Sequence, residues 1–156
     1  MNAAFQELVN LKTIVEAPKA DKYRVGATPA SAVLRLAAFG LEGEVLMAQG
    51  DLSGAIEAFR AGVAIEDQNN YTEPPDWAQP MRHYLGAVLL KAGQPEAAEA
   101  VYRRDLRWNQ NNGWALFGLH QALVAQNKQS EASKVFNQWQ KAWSVADVTL
   151  TASNLN

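Results

Sequence analysis

The feature that most constrains this chain is a spacing of glycine, alanine and aromatic residues that recurs along it. The first set is Gly43, Gly50, Ala55 and Phe59, and the second, at identical intervals, is Gly86, Gly93, Ala98 and Tyr102. A third segment keeps the last interval, between Ala132 and Phe136. The second and third segments begin 34 residues apart, at Gln79 and Gly113. A fixed period of this length predicts a stack of similar structural units.

Each member of the repeated set has a physical reason to be where it is. A glycine such as Gly43 lets the first helix of a unit approach the second closely, and the alanine does the same from the second helix. The aromatic residue one turn later fills the space between adjacent helix pairs. Gly50 and Gly93 are expected to end helices in the left-handed conformation, which glycine adopts with little strain. Pro95 then suits the first turn of the next helix.

This pattern resembles the tetratricopeptide repeat (TPR) family, in which each repeat is a helix–turn–helix unit. The resemblance implies an all-α fold, an α-α superhelix of three TPR-like helix pairs plus an N-terminal helix, with seven helices in a single domain. The predicted segments are the N-terminal helix at 3–17, repeats at about 36–69, 79–112 and 113–146, an insertion at 70–78 and a polar tail at 147–156.

The third repeat departs from the pattern at two positions. His120 stands where the small residue belongs, and Asn127 stands where the cap glycine belongs. Asparagine tolerates the left-handed conformation, so Asn127 can still end a helix. A histidine at the small position is expected to push the two helices apart or to point off the axis of the pair. We therefore expect a degenerate last repeat, as terminal repeats often are.

The insertion at 70–78 separates the first two repeats. Pro74 and Pro75 disfavour helix and predict an extended segment, with Tyr71, Glu73 and Trp77 around them. One interpretation places Tyr71 and Trp77 in the groove between helix pairs as packing residues. The other makes the insertion one wall of a binding pocket.

From Ala30 onwards the chain also resembles the C-terminal portion of longer, uncharacterised bacterial TPR proteins. The matching features are the Tyr-x-Glu-Pro-Pro-x-Trp insert at 71–77, Arg82, Leu85–Gly86, the Glu-Ala-Ala-Glu-Ala run at 96–100, Asp105–Leu106 and the Asn-Gly-Trp-Ala-Leu-Phe-Gly-Leu run at 112–119. The resemblance implies the end of a longer array and brings no activity with it.

Composition removes several classes of function. The chain has no cysteine, which excludes disulfides, thiolate catalysis and Cys-ligated zinc. Its net charge of −2 gives no electrostatic case for nucleic acid. The histidines lack helix-face metal spacing, although a cross-helix site from Glu44, Glu73 and His83 is a minor alternative. No phosphate-binding loop or nucleophile elbow is present. We therefore predict no enzyme, no cofactor and no metal.

The N-terminal residues do not form a signal peptide, and no segment is apolar enough to cross a membrane. A cytoplasmic location is the expectation.

In TPR proteins the first helix of each repeat, called helix A, lines a concave surface. The positions on this surface supply the candidate binding residues. Together with the insertion they are Glu44, Met47, Tyr71, Glu73, Trp77, His83, Lys91, Trp114, Phe117 and Gln121. Only Lys91 fits the carboxylate clamp of chaperone-binding TPRs, so an acidic chaperone tail is disfavoured. The mixture of apolar and polar groups favours a non-catalytic protein–protein interaction module that binds an unknown peptide or protein segment.

Two other functions stay open from the sequence. Trp139 and Trp143, one turn apart on the last helix, either are capped by the tail or form an exposed patch that supports a homodimer. The N-terminal helix offers a second route to self-association. A small-ligand or metal-binding domain using Tyr71, Glu73, Trp77, His83 and Trp114 is the third hypothesis.

Overall fold

A computed structural model describes residues 2–16, 22–69 and 72–154 of the chain. About 70% of the described residues are helical, which confirms the all-α prediction. In chain order the described helices are α1 Asn2–Val15, α2 Ala30–Gln49, α3 Leu52–Glu66, α4 Met81–Lys91, α5 Pro95–Trp108, α6 Gly113–Ala125 and α7 Gln129–Ala142. Helix α1 ends two residues before the predicted limit at residue 17, which lies outside the described residues.

The helix ends follow local sequence signals. Gly50 and Gly93 adopt φ angles of 82° and 69°, and Asn127 takes φ 59°, so all three predicted left-handed caps are confirmed. At the opposite ends, the Asp51 side chain accepts a hydrogen bond from Gly54 N at 2.9 Å, and Asn112 accepts one from Ala115 N at 3.1 Å. These side chains satisfy amides that a helix start would otherwise leave unpaired.

The chain divides into two compact units, residues 1–81 and 82–156. In the first unit, α2 and α3 pack through Gly43. A Cβ atom on Gly43 would lie 2.4 Å from Cζ of Phe59, whose side chain is fully buried. The glycine therefore gives the ring its space, as the repeat spacing predicted. Leu8 of α1 is buried, and Lys12 of the same helix pairs with Glu42 of α2 at 2.7 Å.

The segment before α2 contains a short β-ribbon. Strand β1, Arg24–Val25, pairs antiparallel with β2, Thr28–Pro29, across a turn in which Gly26 has φ 55°. The ribbon contacts the insertion in the same unit. The Asp76 carboxylate accepts hydrogen bonds from Ala27 N, Thr28 N and Thr28 Oγ1 at 3.1, 3.0 and 2.7 Å. Pairing information of this kind is not contained in local sequence, because it joins residues about fifty positions apart.

In the second unit, Tyr102 of α5 lies between two helix-A glycines. A Cβ atom on Gly86 of α4 or on Gly118 of α6 would come within 2.2 Å of Cζ of Tyr102. The ring therefore fills the space between adjacent pairs, as the spacing predicted. Gly118 is a further member of this contact that the repeat alignment did not single out.

His120 of α6 makes direct contacts with α7. Its Nδ1 lies 3.2 Å from the carbonyl oxygen of Ala132, and its ring packs 5.0 Å from the ring of Phe136. The imidazole thus lies at the contact between the two helices and is partly buried. The expectation that it would point off-axis is wrong, because a polar ring can fill this position when a helix carbonyl accepts its hydrogen.

Candidate functional site

The helix-A face of the second unit is built from α4 and α6. Lys91 is exposed at the end of α4, and Trp114, Phe117 and Gln121 are half-buried on α6. Trp114 meets Trp143 edge-on, with ring centroids 5.3 Å apart and planes at 83°. Phe117 lies 5.4 Å from the ring of Trp139 on α7. The predicted aromatic binding residues therefore pack in part against the last helix.

Trp139 and Trp143 are both half-buried rather than presented on an uncovered face. The Trp143 indole N–H donates to the carbonyl oxygen of Val148 at 2.8 Å, so the segment after α7 contacts it. Beneath it, a Cβ atom on Gly113 would lie 2.2 Å from the Trp143 ring. Trp139 on α7 and Trp143 directly after it thus both contact α6, as an amphipathic last helix requires.

His83 is buried, and its ring faces Asp105 of α5. The Nε2 atom of His83 lies 3.2 Å from Oδ2 of Asp105, and both side chains are only 2% exposed. The other carboxylate oxygen of Asp105 accepts a hydrogen bond from Asn109 Nδ2 at 3.0 Å. The imidazole ring is therefore covered. The backbone carbonyl is the part of His83 that reaches the helix-A face of this unit, called the groove below. Sequence reasoning missed Asp105, although it follows Tyr102 by three positions and so shares the buried face of α5.

The Tyr102 hydroxyl marks the floor of the groove. Burial raises the pKa of Tyr102 well above its ordinary value; the hydrogen bond to Ser153 lowers the pKa, and the nearby charge of Asp105 raises it. The phenol therefore stays protonated. Its O–H lies 2.5 Å from Ser153 Oγ, which donates in turn to the carbonyl oxygen of His83 at 3.0 Å.

The segment 147–154, called the tail below, occupies this groove. It was predicted to be polar, yet Leu150, Ser153 and Asn154 are all buried. Gln121 of α6 reaches the carbonyl oxygen of Thr151 with a 3.5 Å contact from Nε2. The sequence carries no periodic signal for this burial, since the buried positions are 150, 153 and 154 whereas Val148 is 53% exposed.

The remaining candidates lie in the first unit. Glu44 and Met47 are half-buried and one turn apart on α2. Burial raises the pKa of Glu44, and its buried Oε1 meets no hydrogen-bond partner in the described part of the chain. In the insertion, Glu73 is exposed and Trp77 is half-buried. Tyr71 lies outside the described residues.

A metal role has little geometric support. Across residues 2–16, 22–69 and 72–154, no group of three histidine, aspartate or glutamate side chains is placed to hold a metal ion. The Nε2 atom of His83 is directed at Asp105. Within the same described residues, no helix is both long and apolar enough to span a bilayer.

Comparison with solved structures identifies a similar fold. A structure described as the crystal structure of MamA protein matches with a TM-score of 0.61 and 15% sequence identity, covering 95% of this chain and 70% of that chain. MamA is an all-α, TPR-containing protein, so the match supports a TPR-like fold here. No protein-family model matches the sequence, and no curated protein matches it.

Proposed function

We propose that this chain is a non-catalytic protein–protein interaction module that binds a peptide or protein segment on the helix-A face of its repeats. The observation that carries the proposal is the tail in the groove of the second unit. Gln121 contacts the backbone carbonyl of Thr151, and Tyr102 and the His83 carbonyl hold Ser153. Side-chain contacts of this type to a segment without regular secondary structure are ones that a bound peptide also makes.

Two further observations support a binding role. The TPR-like fold it shares with MamA presents helix faces to partners in many repeat proteins, although this is an analogy at the level of the fold. In the first unit, the insertion provides a charged group at the exposed Glu73 and an aromatic group four residues later at the half-buried Trp77. We propose the insertion as a second contact segment, together with Glu44 and Met47 of α2.

The test compares two substitution pairs on different faces of the second unit. Lys91→Glu with Gln121→Ala alters the helix-A face, whereas Lys134→Glu with Gln138→Ala makes the same chemical changes on exposed positions of α7. His83→Ala is unsuitable because it would remove the partner of Oδ2 of the buried Asp105 and so disturb the interior.

Peptides selected from a displayed library on the wild-type protein, measured by calorimetry, should lose affinity for the first pair and keep it for the second. Equal affinity for both pairs would show that the helix-A face is not the binding surface.

A second candidate function, self-assembly through α1, is favoured by one observation. Phe5, Val9 and Ile14 of this helix are 55%, 44% and 53% exposed. A cleft of about 160 Å³ runs between α1 and α2, lined by both Phe5 and Val9. Exposed apolar side chains on one helix are a common basis for association of two copies.

Light scattering over a range of concentrations tests this candidate. A wild-type dimer that becomes monomeric on Phe5→Ser with Val9→Ser would support assembly through α1. A wild-type mass that stays monomeric at every concentration would exclude it.

A further inference from the structure

The tail is held in its groove by side chains rather than by secondary structure. Among the described residues, no backbone group from 147 to 154 hydrogen-bonds to another backbone group. The contacts instead come from Trp143 to the Val148 carbonyl, from Gln121 to the Thr151 carbonyl and from Tyr102 to Ser153. A segment attached in this way can leave without unravelling a helix or a sheet, so its release is a local event.

The groove distinguishes between positions of the tail. The side chains of Thr149 and Thr151 are exposed, whereas Leu150 is 8% and Ser153 1% exposed. The two buried side chains are three residues apart and have different chemistry. Leucine supplies apolar area, and serine supplies a hydroxyl that both accepts from Tyr102 and donates to the carbonyl of His83.

The position in the groove that Ser153 occupies favours an uncharged side chain. Ser153 is 1% exposed, and its hydroxyl touches the fully buried Tyr102. An acidic side chain at this position would lose its hydration without gaining a cationic partner among these contacts. The groove therefore selects a neutral hydroxyl over a carboxylate or a phosphate.

The fit of the tail is incomplete at its far end. Asn154 is 4% exposed, and neither its Oδ1 nor its Nδ2 meets a hydrogen-bond partner among the described residues. The cost of removing water from this amide is therefore not offset by a hydrogen bond, and the tail binds the groove less tightly as a result. A competing segment that satisfies or avoids this position would bind better.

We infer that residues 147–154 are an intramolecular occupant of a groove that binds peptides carrying leucine and, three residues later, serine, with no charge at these two positions. A partner segment of this class gains access when it displaces the tail. This inference rests on the proposed function and deepens it, because it names the class of ligand and the internal competitor. The tail begins shortly after α7, so its tether keeps its effective concentration near the groove high.

The test uses the full chain and a fluorescent synthetic peptide with the sequence of residues 147–156. Two variants, Ser153→Glu and Leu150→Asp, are each designed to expel the tail by placing a charge at a buried position. Thr149→Glu is the matched control, because it adds the same charge at an exposed position of the same segment. Binding is followed by fluorescence anisotropy, and folding by circular dichroism.

The peptide should bind the expelled variants at least about tenfold more tightly than it binds the wild type or Thr149→Glu, because those two keep the tethered competitor. A peptide carrying glutamate in place of its serine should not bind. Adding Tyr102→Phe to an expelled variant should weaken binding several-fold, since it removes the hydroxyl that the serine contacts.

Two results would overturn the inference. Equal binding to the wild type and to a folded expelled variant would show that the tail does not compete. Loss of helical structure in both expelled variants would show that the tail belongs to the core and is not a displaceable ligand.

The inference and the proposed function can fail separately. If library peptides bind the helix-A face of the wild type but the tail peptide binds no variant, only the inference is contradicted. Tail peptide binding without any selected ligand would sink only the proposed partner role.

Discussion

Two glycines in the same helix should differ in how much stability they lose when each is replaced by alanine. In α2, a Cβ atom on Gly43 would lie 2.4 Å from the ring of the fully buried Phe59. On Gly40, three residues earlier, it would lie 3.2 Å from the terminal methyl group of Met81. An aromatic ring enclosed on all sides cannot move aside, whereas the end of a methionine side chain can rotate.

The magnitudes follow from two opposing effects. Replacing glycine by alanine inside a helix stabilises it by about 1 kcal/mol. Overpacking a buried site costs about 1–3 kcal/mol, and the short contact to Phe59 places Gly43→Ala at the upper end. We therefore expect Gly43→Ala to lower the free energy of unfolding by about 2 kcal/mol, whereas Gly40→Ala should change it by less than about 0.5 kcal/mol.

Urea unfolding followed by far-UV circular dichroism measures both values, with the slope of the transition as a check on the comparison. Thermal unfolding should show Gly43→Ala melting about 4–8 °C below the wild type. A double-mutant cycle adds Phe59→Leu, which shortens the opposing side chain. The double variant should be less destabilised than the sum of the single ones. Equal destabilisation by Gly40→Ala and Gly43→Ala, or strict additivity with Phe59→Leu, would refute the assignment of Gly43 to close helix packing.

Three other predictions follow from contacts elsewhere in the chain. Asp76→Ala removes the acceptor for three hydrogen bonds from Ala27 and Thr28, so it should destabilise the protein by about 2–3 kcal/mol and speed hydrogen exchange at both amides. Burial acts to raise the pKa of Glu99, but hydrogen bonds from basic and amide side chains outweigh it and lower the pKa from 4.5 to about 2. Stability should therefore be fully present above pH 4.5 and fall between pH 4.5 and 2, and acid titration of Glu99→Gln should show a smaller fall. Asn112→Ala removes a helix N-cap and should cost about 1 kcal/mol in urea unfolding, whereas Asn112→Asp should cost little.

The oppositely charged partners of Glu99 explain why its pKa falls despite its partial burial. Arg103 and Lys128 each approach it to 2.7 Å, and Gln126 donates at 2.8 Å. Arg103 also pairs with Glu131 of α7 at 2.6 Å. The network joins α5 to the start of α7, so a result at Glu99 reports on the contact between the last two repeats.

The sequence by itself determined the features that repeat at a fixed interval. Close approach at Gly43 and Gly86, the aromatic residues that fill the gaps and the left-handed ends at Gly50 and Gly93 were all predicted from spacing. These features depend on a helix and its immediate neighbour in the chain. Because each repeat makes the same helix–helix contacts, the residue types that allow those contacts recur at a fixed interval and can be predicted from the sequence.

Only the tertiary structure determined the contacts that occur a single time and join residues far apart in the sequence. The pairing of His83 with Asp105, the contact of Asp76 with the β-ribbon and the seat of Ser153 leave no periodic mark in the sequence. The tail shows the difference most clearly. Its composition predicted a solvated end, but its burial depends on the Tyr102 hydroxyl and the His83 carbonyl, which only folding brings to the same place.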